Sequence, residues 1–448
     1  MRTTTALVGL ICGLAWAGVV RAEDGQGAKN ANVAPKGFTA LFNGKNLDGW
    51  RGLAPDTNPY DIAKWKPEER EQKQKAFNED LAKHWRAENG EIINDGNGAY
   101  LTTVKDYRDF EFRVEWKMMA PNGDSGVYLR ATPQVQIWDP NNASVKNLGA
   151  DKGSGALWNN SDGAPGKWPT VKADRPVGEW NTFRIVMIGQ RVSVWFNNKL
   201  TVDNEIMENY WDRKRPIPPT GPIELQTHGS EMRFRNIFVR EISADEANKT
   251  LQAQHDKGFE SVFNGKNFDG WVGDVNAYSA KDGVMTFTSS AGGDIFLKDI
   301  YANFAVRFEF KLPPGGNNGL LIRVPKIEPG GTFSGMEIQI LDDPNEMYKD
   351  IQPWQAHGSV YGIVPAQRGY LRPVGEWNYE EVIADGPKIK VAVNGTIIVD
   401  TDLSKIEKPL DGHDHPGMHR ADGYIGFMGH GDALEFRNIR IKRLAKSG

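Results

Sequence analysis

The chain has 448 residues, which suits two or three domains, and a formal net charge of −4. A charge of this size gives no reason to expect nucleic acid or an anionic membrane surface as a partner. Cys12 is the only cysteine and lies in an N-terminal segment that we expect to be removed, which excludes cysteine nucleophiles, thiolate metal sites and disulfides from the mature chain.

Residues 1–22 are predicted to be a secretory signal peptide. Arg2 supplies the positive start, residues 6–20 form an apolar core too short for a comfortable membrane span, and Ala22 ends a small-x-small cleavage site. We therefore expect export, to the periplasm or to the outside of the cell, after cleavage near Ala22. Residues 23–36 are polar and rich in Gly, Ala and Asn, which predicts a disordered leader. No later segment is apolar for long enough to span a bilayer.

The rest of the chain contains the same domain twice. The opening block 42–50, Phe-Asn-Gly-Lys-Asn-Leu-Asp-Gly-Trp, returns with one change as block 263–271. Further blocks recur in the same order, namely 175–181 as 372–378, 227–229 as 429–431 and 234–237 as 436–439. A period of roughly 200 residues is too long for a solenoid unit. We predict domains at 37–242 and 258–444, joined by a short helical linker at 243–257.

Within each copy, apolar and polar residues alternate with the period of a strand. Every second residue from Phe110 to Trp116 is apolar, and the pairs Asn197-Asn198 and Asn394-Gly395 are typical of hairpin turns. Many short strands at regular spacing predict an all-β fold, with two tandem jelly-roll β-sandwiches.

The first copy alone has an insertion, at about residues 54–81. Pro67 followed by two glutamates is typical of a helix start, and Phe77 and Leu81 share one face of that helix. The insertion is therefore predicted to be helical and to cover one rim of the first sandwich.

These blocks resemble the 3-keto-disaccharide hydrolase family over nearly all of both domains. Besides the blocks above, the segments Gly-Asp-Ser-Gly-Val-Tyr-Leu-Arg at 123–130, Gly-Asn-Asn-Gly-Leu-Leu-Ile-Arg at 316–323 and Gly-Met-Glu-Ile-Gln-Ile-Leu-Asp-Asp at 335–343 carry the resemblance. The resemblance implies a concanavalin A-like sandwich, export and action on 3-keto-glycosides. A sugar 3-oxidoreductase is then the expected functional partner, because it would supply the keto group.

One strand distinguishes the two copies. Strand alternation places Glu337 and Gln339 on the concave face of the second sandwich, and Gln134, Gln136 and Trp138 take the corresponding places in the first. An amide binds a hydroxyl group but does not exchange a proton at neutral pH. We therefore predict that the second domain is catalytic and that the first binds carbohydrate or has a narrower, related activity.

The predicted reaction is elimination followed by hydration. A ketone at C3 acidifies the C2 proton, a base removes that proton, the group on C1 leaves and water then adds. Glu337 or His430 is the predicted base, His357 or Tyr361 the predicted acid, and Arg323 or a bound metal the predicted stabiliser of the enolate.

Other residues are predicted to contact the substrate. Trp138 and Trp158 occur only in the first copy and are candidates for stacking on a sugar ring, with core packing as the alternative. The remaining candidates are Gln339, Asp342, Gln134, Gln136, Arg130 and His228. His228 and His430 occupy the same place in both copies, so a structural role is the alternative for both.

The loop at 411–419 contains the predicted metal ligands His413, His415 and His419. They would suit a divalent metal, zinc or calcium, but an exposed polar loop is the alternative.

Two other functions stay open at this point. One is a non-enzymatic pair of lectin-like modules, and the other is an ordinary β-glucanase. Glu337 and Asp342 are five residues apart, so a regular strand places them on opposite faces. This strand therefore does not supply the paired carboxylates of a retaining glycosidase, which argues against the β-glucanase.

Overall fold

The computed structural model describes residues 31–290, 292–327 and 334–445. The predicted signal peptide and residues 23–30 of the predicted leader lie outside this part of the chain. Within the described ranges, no helix is both long enough and apolar enough to cross a membrane.

The first domain is a sandwich of two antiparallel sheets with two helices. Its strands are β1 Thr39–Ala40, β2 Trp50–Leu53, β3 Trp85–Glu88, β4 Glu91–Asn94, β5 Tyr100–Thr103, β6 Phe110–Met118, β7 Asp124–Leu129, β8 Thr132–Trp138, β9 Asn181–Ile188, β10 Arg191–Phe196, β11 Lys199–Ile206, β12 Ile223–Leu225 and β13 Met232–Glu241, and its helices are α1 Pro59–Ile62 and α2 Pro67–His84. The eight-stranded sheet has the order β11-β10-β9-β6-β13-β4-β3, with β1 also paired to β13. The five-stranded sheet has the order β2-β5-β12-β7-β8.

The second domain, which follows helix α3 (Ala244–Ala253), repeats this topology. Its strands are β14 Glu260–Ser261, β15 Trp271–Gly273, β16 Tyr278–Lys281, β17 Val284–Phe287, β18 Gly293–Leu297, β19 Phe304–Lys311, β20 Asn317–Val324, β21 Met336–Leu341, β22 Asn378–Asp385, β23 Lys388–Val393, β24 Thr396–Asp402, β25 Tyr424–Gly429 and β26 Glu435–Arg443. The eight-stranded sheet has the order β16-β17-β26-β19-β22-β23-β24, with β14 paired to β26, and the five-stranded sheet has the order β15-β18-β25-β20-β21. The prediction of two tandem β-sandwiches is confirmed.

Short 3-10 helices lie in the connections of both domains, at Ala143–Leu148, Ala150–Lys152, Val275–Ala277, Glu346–Tyr348, Pro353–Gln355, Leu403–Lys405 and Pro416–His419.

Strand alternation builds each core and exposes each candidate site. Met336, Ile338 and Ile340 of β21 point into the apolar core between the sheets of the second domain. Glu337 and Gln339 therefore point the other way, onto the face of the five-stranded sheet that is turned away from the core. We call this surface the outer face of each domain.

The insertion of the first domain is helical, as predicted. Helix α2 begins at Pro67, and Leu81 is buried in the apolar core. The helix packs on strand β2, where the side chain of Asn78 accepts a hydrogen bond from the backbone N–H of Gly52 at 2.9 Å. The insertion therefore covers the β2 edge of the five-stranded sheet.

Two segments outside the sandwiches are tied to them. In the predicted disordered leader, Asn32 exchanges backbone-to-side-chain hydrogen bonds with Asn236, so this part of the leader is held on the first domain. Helix α3 occupies most of the predicted linker, and Ala247 and Leu251 pack with Ile188 of the first domain and Tyr379 of the second.

A buried arginine also joins the two domains. Arg372 lies 3.5 Å from the carboxylate of Asp109 in the first domain and donates to the side chain of Asn248 on α3 at 2.6 Å. All three side chains are buried, so the contact is a built interface rather than a surface ion pair.

Candidate active site

Glu337 lies on the outer face of the second domain, on the edge strand β21. Its side chain extends across Gly319 of the neighbouring strand, so closely that a Cβ atom at position 319 would overlap the carboxyl group. Oε1 of Glu337 and Oε1 of the adjacent Gln339 are both buried, and neither has a hydrogen-bond partner among the described residues. A buried acceptor without a donor is costly, so the pair is suited to receive donors from a ligand.

Two carboxyl groups on this face have raised pKa values. Burial, with a smaller contribution from the charge of Asp294, raises the pKa of Glu337 to about 8. Burial and the charge of Asp274 raise the pKa of Asp294 to about 6. At pH 7, Glu337 is therefore mostly protonated and Asp294 mostly ionised, and such a separation of two acids is typical of proton-transfer sites.

His430 follows the last residue of strand β25 directly, two residues beyond Met428 of the outer face. Met428 pairs with Gly319, the residue over which Glu337 extends. His430 is exposed at this end of the sheet, and partial burial of its imidazole lowers the pKa below its ordinary value of 6.5. Its imidazole is therefore neutral at pH 7 and able to accept a proton.

Tyr361 stands beside Glu337 at the open edge of the sheet. Its backbone N–H donates to the carbonyl oxygen of Glu337 at 2.9 Å, and its ring packs edge-on against Trp354 with centroids 5.0 Å apart. Both rings are half-buried, and the Tyr361 hydroxyl accepts from Gln355 at 3.1 Å. The structure thus adds Trp354 to the candidates for contact with a sugar ring.

Three other predicted residues, Arg323, Asp342 and His357, do not lie on this face. The guanidinium group of Arg323 is buried and donates to the carbonyl oxygens of Gly386 and Met418, so it is not placed to stabilise an enolate beside Glu337. Asp342 is buried and accepts from the backbone N–H of Gly315 at 2.8 Å, which fixes a loop.

His357 lies between the two sheets of its sandwich. Nδ1 accepts from the backbone N–H of Leu341 at 3.3 Å, and Nε2 is 3.5 Å from the carboxyl group of Glu380. Burial lowers the pKa of His357 to about 3 and raises the pKa of Glu380 well above its ordinary value. His357 is therefore neutral at pH 7, burial favours the neutral form of Glu380, and His357 is not exposed to a substrate on the outer face.

In the first domain, Gln134 takes the place of Glu337 and extends across Gly126 in the same way. Its amide donates to Gln136, whose own amide donates to Asp124 at 2.7 Å. Asp124 lies 3.4 Å from the imidazole of the exposed His228. The predicted residues Gln134, Gln136 and His228 thus form one chain of contacts along this face.

The outer face of the first domain also holds an acid that the sequence analysis missed. Glu224 on β12 pairs with Thr102 on one side and Tyr128 on the other, and burial raises its pKa to about 8. The corresponding residue of the second domain is Gly426, which pairs with Phe296 and Leu321. Each domain thus keeps a buried carboxyl group on its outer face, but on a different strand.

The predicted stacking and binding residues of the first domain are more deeply placed than expected. Trp138 is buried, and its indole N–H donates to the carbonyl of Gly153 at 2.9 Å. Trp158 is half-buried and packs edge-on against Trp138 with centroids 5.9 Å apart. Arg130 is buried and paired with Asp109 at 3.1 Å, so it serves the sandwich and the domain interface.

The three loop histidines of the second domain do not converge. His415 pairs with Asp411 at 2.9 Å, while His413 and His419 are exposed. In the part of the chain that the structure describes, no three His, Cys, Asp or Glu side chains are close enough to hold a metal ion.

Two sequence signals would have found the missed acids. Glu224 lies between Ile223 and Leu225, both core residues, so alternation alone directs it outward. Asp294 precedes the core residue Ile295 in the same manner. Both were overlooked because only the segment at 335–343 and its counterpart were compared for acids.

Comparison with known proteins agrees with this architecture. The sequence profile of the 3-keto-alpha-glucoside-1,2-lyase-like domain matches residues 37–240 and 258–442. A protein of Bacteroides thetaiotaomicron named 3-keto-disaccharide hydrolase is 27% identical over 230 residues, which cover 42% of this chain and 79% of the relative.

Solved structures of single domains are also similar. One putative glycosyl hydrolase from Parabacteroides distasonis is 32% identical, with 42% of this chain and 99% of that chain covered and a TM-score of 0.38. A second from the same organism is 26% identical, with 42% and 95% covered and a TM-score of 0.37. Because the family profile matches both sandwiches almost from end to end, the chain belongs to the 3-keto-alpha-glucoside-1,2-lyase-like domain family and contains two copies of that domain in tandem.

Proposed function

We propose that the protein is an exported hydrolase that cleaves 3-keto-glycosides, including 3-keto-disaccharides, by elimination and hydration. Family membership and the name of the Bacteroides relative support this substrate class. The observation that carries the proposal is the carboxyl group of Glu337, which extends over Gly319 on the outer face with a buried, unpaired oxygen and is protonated at neutral pH, while the neutral imidazole of His430 follows β25 of the same sheet. These are the states that a general acid and a general base require.

Catalysis is assigned to the outer face of the second domain. The imidazole of His430 takes the C2 proton, and the C2–H electron pair forms an enolate with its charge on the C3 oxygen. The C3 carbonyl then re-forms, a C1–C2 double bond is made and the C1–O bond breaks while Glu337 gives its proton to the leaving oxygen. Water adds at C1, C2 regains its proton from His430 and a water proton returns to Glu337. One water is consumed for each bond cleaved.

The role of Glu337 as acid follows from its burial. A carboxyl group with a pKa of about 8 is a poor base at pH 7 because about nine in ten molecules carry the proton. The amide of Gln339 lies next to it and provides a donor for the C3 oxygen, while Trp354 and Tyr361 border the site. Burial keeps Glu337 protonated, and the charge of Asp294 adds to this effect.

The keto group requires an upstream reaction. A glycoside oxidised at C3 is the product of a sugar 3-oxidoreductase, and an enzyme of that class is the proposed functional partner. Export through the predicted signal peptide would place both reactions outside the cytoplasm.

Mass spectrometry of the purified chain with a 3-keto-glucoside and its unoxidised parent tests the proposal. Cleavage of the 3-keto compound alone is expected, and a chelator in parallel reactions tests the metal prediction. Glu337→Gln is compared with Glu407→Gln, which changes an exposed loop residue. Cleavage of the parent would favour a conventional glycosidase, and binding of either compound without cleavage would favour the lectin-like function.

A further inference from the structure

The buried acid has changed strands between the two domains. In the second domain, β21 carries Glu337, and the residue level with it on β25, across Leu321 of β20, is Gly426. In the first domain, β8 carries Gln134 at the place of Glu337, while β12 carries Glu224 at the place of Gly426. A glutamine at position 134 therefore does not mean that the first domain lacks an acid.

Glu224 belongs to a cluster of polar side chains with too few donors. Glu224 is 3% exposed, Gln134 5% and Gln226 6%. Oε1 of each of these three residues is buried and has no hydrogen-bond partner within the described ranges. An unpaired buried acceptor is costly, so the cluster is suited to a ligand that supplies several hydroxyl donors.

Two tyrosines complete the cluster and connect it to the surface. The rings of Tyr100 and Tyr128 pack edge-on with centroids 5.3 Å apart, and the Tyr100 hydroxyl accepts from Gln226 at 3.2 Å. The Tyr128 hydroxyl donates to Asp56 at 3.1 Å, and Asp56 is exposed. Asp56 lies in the insertion that only the first domain has, so the insertion borders this cluster.

The second domain has lost this polar lining. The counterparts of Thr102, Tyr128 and Gln226 are Phe296, Leu321 and Met428, which belong to one apolar cluster on the outer face. The polar cluster around Glu224 is therefore a feature of the first domain rather than a general property of the sandwich.

We propose that the first domain has a hydrolytic site of its own, in which Glu224 is the proton donor and the substrate is a 3-keto-disaccharide whose hydroxyl groups donate to Gln134 and Gln226. This proposal rests on the proposed function. The bonds made and broken are those given for the second domain, with His228, oriented by Asp124, in place of His430 as proton acceptor. One water is again consumed, and both side chains regain their starting protonation.

The test uses the full chain with four sequences: wild type, Glu337→Gln, Glu224→Gln and the double variant. Glu337→Gln removes the acid of the second domain, so cleavage of a 3-keto-disaccharide that remains reports on the first. We expect this variant to keep turnover and the double variant to lose it by on the order of 100-fold or more. Glu88→Gln, on the exposed end of β3, is the matched control in the Glu337→Gln background.

Two outcomes would overturn the proposal: no remaining cleavage in Glu337→Gln, or undiminished cleavage in the double variant. Inactivity of the wild type toward every 3-keto-glycoside would instead reject the proposed function itself. If Glu224→Gln does not fold, the pH profile of Glu337→Gln alone decides. Its activity must fall as the pH rises past about 8, where Glu224 loses its proton, and a flat profile contradicts the assignment.

Discussion

Replacing Glu337 by glutamine should remove a proton donor while keeping the shape of the side chain. The difference between the ordinary pKa of 4.5 and about 8 corresponds to a preference for the neutral form of about 5 kcal/mol, at about 1.4 kcal/mol for each factor of ten. As the pH increases, wild-type activity should therefore first rise, because His430 loses its proton at a pH below 6.5. It should then fall above about pH 8, because Glu337 ionises there. In a Glu224→Gln background, the Glu337→Gln variant should lose the fall on the alkaline side.

The size of the loss should depend on the leaving group. General acid catalysis contributes about 10²- to 10⁴-fold, and most of it is needed when the departing oxygen is a poor leaving group. We expect a loss in this range for a 3-keto-disaccharide and a much smaller loss for a p-nitrophenyl 3-keto-glucoside, whose phenolate leaves without help. Both substrates are measured from pH 5 to 10 in a Glu224→Gln background, so that the first domain does not contribute.

Equal losses on the two substrates would refute the role of Glu337 as acid. A variant that keeps the alkaline fall would show that another group with a similar pKa donates the proton. A variant with unchanged turnover on both would remove Glu337 from the mechanism altogether.

Three further changes are predicted. Gly319→Ala should lower turnover by on the order of 10- to 100-fold with little change in Tm, because a Cβ atom would displace the Glu337 carboxyl group; unchanged turnover would show that the position of this carboxyl group is not critical. Relative to wild type, Glu224→Gln should raise the free energy of unfolding by an amount that grows by about 3 kcal/mol between pH 5 and pH 7 in chemical denaturation. The reason is that the pKa of Glu224 is higher in the folded than in the unfolded state, so its deprotonation favours unfolding of the wild type. A difference between variant and wild type that does not change with pH would contradict the raised pKa. Arg372→Met should lower the free energy of unfolding by about 1–3 kcal/mol in the same assay, because it removes the buried contact with Asp109. An unchanged denaturation midpoint would show that this contact does not hold the domains together.

The sequence was sufficient for the fold because its signals are local and repeated. Alternation in segments such as 110–116 depends only on which side chains face the core, and the start of α2 at Pro67 depends on a single turn of backbone. The duplication strengthened these signals, because each strand could be read twice.

The candidate site was harder to predict because it is assembled across strands. Alternation placed Glu337 and Gln339 correctly on a common face, but it does not say where a side chain turns once a strand has ended. Arg323 has a positive φ of 56°, and its guanidinium group lies against Gly386 and Met418 rather than beside Glu337. His357, which follows the strand by sixteen residues, returns to the interior to meet Glu380.

The relocation of the acid bears on how duplicated domains are compared. A single aligned position, glutamate at 337 and glutamine at 134, suggests that the first copy has lost its chemistry. A sheet face, however, is a surface that several strands share, and a carboxyl group can enter the same face from β8 or from β12. Loss would leave the face without a buried glutamate, whereas the first domain has Glu224 at a place where the second has glycine. Retention of one buried carboxyl group on each outer face is the pattern expected when proton transfer persists in both copies, and the pair of variants at positions 224 and 337 distinguishes persistence from loss.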